Sequence, residues 1–230
     1  KIIQKFVLSL CLAFAAISGV QAAGGNAIAW DKAPGKTNDL ASLQNGAKLA
    51  VNYCMGCHSF KYSRWGRVAS DTGIPNQLML DNMIFTGQKI GQLMEISMPE
   101  DGAKEWFGAV PPDLTLVARS RSPEWLYTYL RNFYADPSRP LGVNNRVFKD
   151  VGMPHALLDL QGLPECAPGP VLAANGGIKR DLMTGADILD DPCGRFNINK
   201  AGSMTEEEYQ AAVYDLVNFL TYIAEPMAEQ

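Results

Sequence analysis

The chain has 230 residues, of which 47% are hydrophobic and 19% are charged. This composition is typical of a folded globular protein and excludes a largely disordered chain. The formal net charge is −4, which argues against nucleic-acid binding because a basic surface is needed to replace the counterions of the phosphates. The length suits one good-sized domain, with or without large insertions.

Residues 1–22 have the pattern of a secretory signal peptide. Lys1 and Lys5 precede an apolar run over residues 6–20, and a small-x-small cleavage pattern ends at Ala22. The run is shorter than the roughly 20 residues that a membrane-spanning helix needs, and an uncleaved anchor is the alternative. Export and cleavage would remove Cys11 and leave four of the five cysteines in an oxidising compartment. The mature domain then comprises residues 23–230.

Helical periodicity begins after a lead-in rich in Gly and Pro. Apolar residues fall on one side of a predicted helix over residues 39–53, which leads directly into a pair of cysteines. A shorter helix is predicted around residues 77–85. The second half of the chain contains two better-marked helices.

The first of these starts at Ser122, an N-cap residue followed by Pro123 at the first helical position, and it is predicted to end at Asp136. The last helix opens with a capping box, Thr205 and Glu208. A continuous apolar stripe follows the box. It comprises Tyr209, Ala212, Val213, Leu216, Val217, Leu220 and Ile223.

Residues 137–203 carry much Gly and Pro and little periodicity, so we expect them to be mainly loop. A loop of this length inside a domain is usually functional or tied down. The sequence therefore predicts an all-α fold with large loop insertions and few or no strands.

The stretch CMGCH places Cys54, Cys57 and His58 within five positions. C-x-x-C-H is the attachment pattern of a c-type haem, in which two thiols join the porphyrin and the next residue binds the iron. A thioredoxin-like thiol pair is disfavoured because the motif follows a helix and no strand–helix alternation surrounds it. A zinc site would need further ligands at compact spacing, and Cys166, Cys193 and His155 are scattered.

A haem iron that carries His58 needs a second protein ligand or an open position. Two methionines precede prolines in predicted loops, Met98 and Met153, and His155 is a third candidate. Methionine raises the potential and closes the iron to small molecules, which suits electron transfer. Spacing alone leaves all three candidates open.

Several stretches together resemble the cytochrome c1 family, the haem subunits of ubiquinol–cytochrome c oxidoreductase (bc1) complexes, in a bacterial form. The resemblance covers most of the mature chain, in order. It rests on CMGCHSFKYSRW (54–65), GIPNQLMLDNMIFTG (73–87), GAVPPDLTLVARSR (108–121), RPLGVNNRVFKDVGMPHAL (139–157) and YDLVNFLTYIAEP (214–226). It implies a c-type cytochrome fold over residues 23–230 and one covalent haem c.

The resemblance also implies roles for individual residues. Met153 in the GMP loop becomes the sixth ligand, beside His58, and Pro112 lies in the segment that resembles the wall of the haem crevice. Arg119 matches an arginine that pairs with a haem propionate, a suitable partner for a bidentate guanidinium. Some bacterial relatives join the positions of Cys166 and Cys193 in a disulfide, so we expect that bond here.

By the same resemblance, the protein passes electrons from the Rieske iron–sulfur protein to a c-type cytochrome, soluble or held at the membrane. We expect it to assemble with cytochrome b in a dimeric complex at the periplasmic face of the bacterial inner membrane. The family continues into a membrane anchor, which these residues do not include. Acidic candidates for docking a basic acceptor are Asp187, Asp190, Asp191 and Glu206 to Glu208.

Two other functions are compatible with a single C-x-x-C-H motif. A free periplasmic cytochrome that shuttles electrons needs no membrane anchor, but it usually needs far fewer residues than this chain has. A haem enzyme such as a peroxidase needs an open iron position, and a methionine ligand would close that position.

Overall fold

The computed structural model describes residues 28–33, 38–173 and 175–227, and for Asp190 and Asp191 it describes the backbone alone. The predicted signal segment, residues 1–22, lies outside these residues. The described helices are α1 (Leu40–Leu49), α2 (Trp65–Thr72), α3 (Asn76–Asn82), α4 (Glu100–Phe107), α5 (Val117–Arg121), α6 (Pro123–Leu130), α7 (Leu158–Gln161) and α8 (Glu206–Ala224). The described strands are β1 (Phe60–Arg64), β2 (Leu93–Met94), β3 (Phe133–Ala135), β4 (Val143–Asn145), β5 (Gly162–Pro170) and β6 (Leu189–Ala201).

The strands form three separate antiparallel pairs: β1 with β2, β3 with β4, and β5 with β6. The prediction of an all-α fold with few or no strands is therefore wrong. β5 contains three prolines and does not alternate apolar and polar residues, so its sequence lacks the usual strand pattern. Pairing with β6, far along the chain, makes it a strand.

The helix predicted from Ser122 to Asp136 is shorter than expected. Its start is confirmed, because the Ser122 hydroxyl accepts a hydrogen bond from the Trp125 N–H at 3.3 Å. α6 stops at Leu130, however, and Phe133 lies in β3 opposite Asn145. The end of α6 is satisfied locally, since the Asn132 side chain donates to the Thr128 carbonyl at 2.7 Å.

α1 and α8 form the centre of the hydrophobic core. The α1 prediction is confirmed, and its backbone continues through a π-helical turn, Ala50–Cys54, into the CMGCH stretch. The predicted capping box of α8 is also present, with reciprocal hydrogen bonds between Thr205 and Glu208. All seven residues of the predicted α8 stripe are buried. Burial of this stripe against α1 supplies much of the apolar contact that holds the fold together.

A glycine permits the close approach of α1 to α8. A Cβ atom on Gly46 would lie 2.6 Å from the Cβ of Phe219, and closer still to the carbonyl oxygen of Asp215. Polar bonds fix the same crossing, because the Asp215 carboxylate accepts hydrogen bonds from Ser42 and Asn45, both at 2.7 Å. The end of α1, and with it the CMGCH turn, is thereby held against the core.

The β5–β6 hairpin occupies most of the region predicted to be loop. Cys166 in β5 and Cys193 in β6 are joined by a disulfide. Gly169 and Gly194 allow the two backbones to pass very close to each other, since a Cβ on either would overlap the other. Beyond the strands, Leu182 and Met183 are almost fully exposed, at 103% and 96%. In the described ranges, no helix is both long and apolar enough to cross a bilayer.

Candidate functional site

The CMGCH turn borders a largely apolar cavity of about 400 Å³, a size common for cofactor sites. Distant parts of the chain supply its walls: the turn itself, the segment before α5, helix α6, the loop before α7, and α8. The lining residues are Tyr53, Cys54, Cys57, His58, Phe107, Ala109, Val110, Pro111, Pro112, Leu114, Val117, Arg121, Trp125, Leu126, Tyr129, Leu130, Phe148, Val151, Gly152, Met153, Pro154, Ala156, Leu216 and Leu220.

The two thiols of the motif are free and line this cavity. The turn is closed by backbone hydrogen bonds, in which the Cys54 carbonyl accepts from the N–H groups of Cys57 at 3.0 Å and His58 at 2.9 Å. Cys54 is buried, and that burial, together with the nearby Cys57, raises the pKa of its thiol to about 12. Cys54 is therefore a neutral thiol at physiological pH.

The imidazole of His58 is oriented by the backbone of the facing segment. Its Nδ1 lies 2.7 Å from the Pro112 carbonyl oxygen, which can only accept, so Nδ1 carries the proton and donates. Burial lowers the pKa of His58, and the bond to Pro112 opposes that shift only in part. The ring is thus neutral at pH 7, and its Nε2 lone pair is available to a metal.

Pro112 is itself held in place by the strand that follows the motif. The Leu114 N–H donates to the Ser59 carbonyl at 2.9 Å, and the Asp113 carboxylate accepts from the Lys61 N–H at 2.7 Å. These bonds tie the PPDL segment to β1. Pro112 lines the cavity, and the group that contacts His58 is its carbonyl oxygen.

Met153 is the one of the three candidate ligands that lines the cavity. Its loop is anchored to α6, since the Asn145 side chain donates to the Tyr129 carbonyl at 2.8 Å and accepts from the Val147 N–H at 2.8 Å. The Tyr129 hydroxyl lies 3.4 Å from the Met153 sulfur. Tertiary structure therefore brings the sulfur to the cavity that His58 borders.

The other two candidates lie elsewhere. Met98 is partly buried outside the cavity lining. His155 is buried and stacks face to face on Phe133, with ring centroids 5.0 Å apart. Burial lowers the pKa of His155 to about 4, so the ring is neutral and belongs to the core.

The structure places Arg119 away from the cavity, contrary to the expectation that it faces a propionate. Its side chain is 61% exposed and forms an ion pair with Glu225 at 3.2 Å. Arg121, two residues later, lines the cavity, with its guanidinium 5.2 Å from the centre of the Trp125 ring. The two arginines occur in the same five-residue helix, α5, and only their three-dimensional orientations separate them.

Tyr129 also lines the cavity. The sequence assigned it to the apolar face of a helix, and that assignment is correct for its ring. Its hydroxyl contacts the Met153 sulfur, which periodicity cannot show.

In this arrangement, the alternative zinc site lacks two of the ligands that it would need. Cys166 and Cys193 are bonded to each other, so neither is available to share a zinc ion with Cys54 and Cys57. The donor set on the cavity wall is two thiols, one neutral imidazole and one thioether, surrounded by apolar side chains. This set fits a haem attached through both thiols and bound at the iron by nitrogen and sulfur.

Comparison with known proteins assigns the chain to a family. No family model matches it. It is 42% identical over 223 residues to a cytochrome c1 from Allochromatium vinosum, covering 97% of this chain and 85% of that protein. It is also 40% identical over 225 residues to a protein named ammonia monooxygenase gamma subunit from Nitrosomonas europaea, covering 98% of this chain and 86% of that protein. From its identity to the Allochromatium protein over nearly the whole length, together with the C-x-x-C-H motif on the cavity wall, the chain belongs to the cytochrome c1 family.

Proposed function

We propose that the cavity holds the covalent haem c of this family between His58 and Met153, and that the protein relays single electrons. The observation that carries the proposal is the meeting of His58 and Met153, distant in sequence, in one apolar cavity that the two free thiols also line. When bound, the haem supplies a reversible one-electron couple at iron. The protein is an electron-transfer subunit of a bc1 complex, alongside cytochrome b and the Rieske protein.

The chain's own residues each have a defined task in this proposal. Cys54 and Cys57 provide the thiols for covalent attachment, and the Pro112 carbonyl fixes the tautomer and direction of the His58 ring. The apolar walls would keep water from a bound iron, which favours the less charged, reduced state. Met153 would serve as the second protein ligand and leave no position open to a substrate.

Arg121 is the residue that we assign to a haem propionate, in place of Arg119. It lines the cavity and lies over the faces of Trp125 and Phe148, at 5.2 and 6.0 Å from the ring centres. A guanidinium held in this way can bind a carboxylate in two parallel hydrogen bonds.

For the electron acceptor, we propose a basic c-type cytochrome that docks beside α4. This helix ends at Phe107, on the cavity wall. It exposes two acids that form no ion pair within the described residues, Glu100 and Glu105, beside Asp101, which lies 4.0 Å from Lys104. Trp106, 61% exposed, provides an apolar contact at the same rim. Complementary charge of this kind mainly raises the rate of encounter.

The acidic residues first considered for docking are less well placed. Asp187 forms an ion pair with Arg180 in the hairpin, and Glu208 is engaged in the capping box of α8. None of the described members of that set lines the cavity. The α4 rim is therefore the better candidate, in a dimeric complex at the periplasmic face of the membrane.

An enzyme that binds a small substrate at the iron is the rival class, and one relative carries the name of a monooxygenase subunit. The ferric absorption spectrum separates the two classes. After expression with c-type haem maturation, we expect the weak far-red band that marks sulfur bound to ferric haem. Met153→Leu should abolish the band.

Met98→Leu is the matched control, because Met98 lies outside the cavity lining. It should leave the band unchanged. A band that survives Met153→Leu, or a wild-type protein without it, would overturn the assignment of Met153 and restore the enzyme class.

A further inference from the structure

Tyr129 donates a hydrogen bond to the sulfur that we assign to the iron. Its hydroxyl oxygen lies 3.4 Å from Met153 Sδ, within the range of bonds to the larger sulfur atom. The side chain is 8% exposed. A thioether has no hydrogen to give, so the Tyr129 hydroxyl is the donor in this contact.

Two aromatic contacts fix the Tyr129 ring. It stacks on Trp125 with centroids 4.7 Å apart and planes at 11°, and it meets the Phe133 ring edge-on at 5.2 Å. Its backbone carbonyl accepts the Asn145 side chain, which also anchors the loop that leads to Met153. The same hydrogen bond therefore links the helix that carries Tyr129 to the loop that carries Met153. The distance between the Tyr129 hydroxyl and the Met153 sulfur is thus set before any cofactor is present.

A thioether sulfur has two lone pairs, so a bond to iron leaves one for a hydrogen bond. An O–H donor on that second pair draws electron density from the sulfur and weakens it as a donor to iron. Weaker electron donation from the sulfur destabilises ferric iron more than ferrous iron, because ferric iron has the greater need of electron density. The reduction potential therefore rises.

We propose that Tyr129 is a positioning residue that holds the Met153 sulfur and raises the reduction potential of the haem through this hydrogen bond. The proposal rests on the assignment of Met153 as a ligand under the proposed function. It goes further in naming a residue that does not bind the iron and yet sets its potential.

The test compares Tyr129→Phe with wild type in the haem-loaded protein. The substitution removes only the hydroxyl and keeps the ring and its stacking. We expect the far-red band to persist but to shift, and the equilibrium constant for reduction to fall roughly threefold, a modest part of one hydrogen bond. At 59 mV for each tenfold change in a one-electron couple, threefold corresponds to about 28 mV lower potential.

Tyr127 serves as the matched control. It lies on the same helix but outside the cavity lining, and its ring contacts Arg131 at 4.5 Å. Tyr127→Phe should leave both the band position and the potential unchanged. Equal shifts in both variants would show a general effect of losing hydroxyl groups and would overturn the proposal.

A second measurement needs no variant and covers the case in which Tyr129→Phe does not fold. In ferric wild-type protein, transfer to heavy water should shift the NMR resonance of the Met153 methyl group, because the bonded hydroxyl proton exchanges. No isotope shift, or an unchanged potential in Tyr129→Phe with the band in place, overturns the role of Tyr129 alone. A wild-type protein without the band overturns the Met153 assignment as well.

Discussion

The cavity proposed to hold the haem and the β5–β6 hairpin are built by opposite means. The cavity is closed by buried side chains from segments that are far apart in sequence, and its fixed points are polar bonds such as that between His58 and Pro112. The hairpin is held by backbone pairing and one disulfide, and it leaves Leu182 and Met183 in solvent. A region that must position reactive atoms is thus specified by side-chain packing, whereas a surface extension is specified by covalent and backbone links.

This contrast predicts that substitutions in the cavity leave the hairpin intact, and that substitutions in the hairpin leave the cavity intact. The largest effect is expected from Cys54→Ser with Cys57→Ser, which removes both attachment points. The chain should lose its covalent haem, and the free energy of unfolding should fall because the apolar walls of the cavity of about 400 Å³ lose their packing partner. Mass spectrometry of the denatured protein and thermal unfolding measure the two consequences.

The disulfide variant is the control for that experiment, because it removes two sulfurs from the other region. Cys166→Ser with Cys193→Ser should keep the haem attached. Covalent haem in the Cys54/Cys57 variant would contradict the attachment site.

Removal of the disulfide should produce the next largest effect. Cys166 and Cys193 are 27 residues apart, and the chain-entropy model assigns a link of this span about 3 kcal/mol. Hydrogen exchange should speed up at the amides of β5 and β6 while α8 stays protected, because the hairpin opens without the core. An equal loss of protection in α8 would show that the two regions unfold together.

The α1–α8 crossing provides a third test, aimed at the support of the cavity. Gly46→Ala introduces a Cβ that overlaps Asp215 and Phe219, so the free energy of unfolding should fall by about 2 kcal/mol. Gly91→Ala is the matched control, since a Cβ there meets nothing within 4 Å. Denaturant titration compares the two variants, and equal stabilities would contradict the close crossing.

The smallest effect separates the two arginines of α5. Arg121→Gln removes a positive charge beside the proposed propionate. The potential should fall, with a change of less than about 1 kcal/mol in the free energy of reduction, since Arg121 is exposed to solvent. Arg119→Gln loses only a surface ion pair with Glu225, at most about 1 kcal/mol of stability. Redox titration should find the potential unchanged in Arg119→Gln, and the reverse result would restore Arg119 as the propionate partner.

Local patterns were reliable where the determining contacts are themselves local. The starts of α6 and α8 follow from Ser122, and from Thr205 with Glu208, because capping bonds span only three residues. The end of α6 was missed because Phe133 is fixed by pairing with Asn145. Its apolar character fits a helix and a strand equally well.

By itself, the sequence determined the thiol–imidazole motif, the amphipathic helices that form the core, and the family. These depend on covalent order and on short-range periodicity. Tertiary structure decided which sulfur, arginine and carbonyl face the cavity, and that residues 162–201 form a hairpin with two long strands rather than a loop. Met153, Arg121 and Pro112 acquire their positions from contacts with residues distant in the chain, and no local pattern records such contacts.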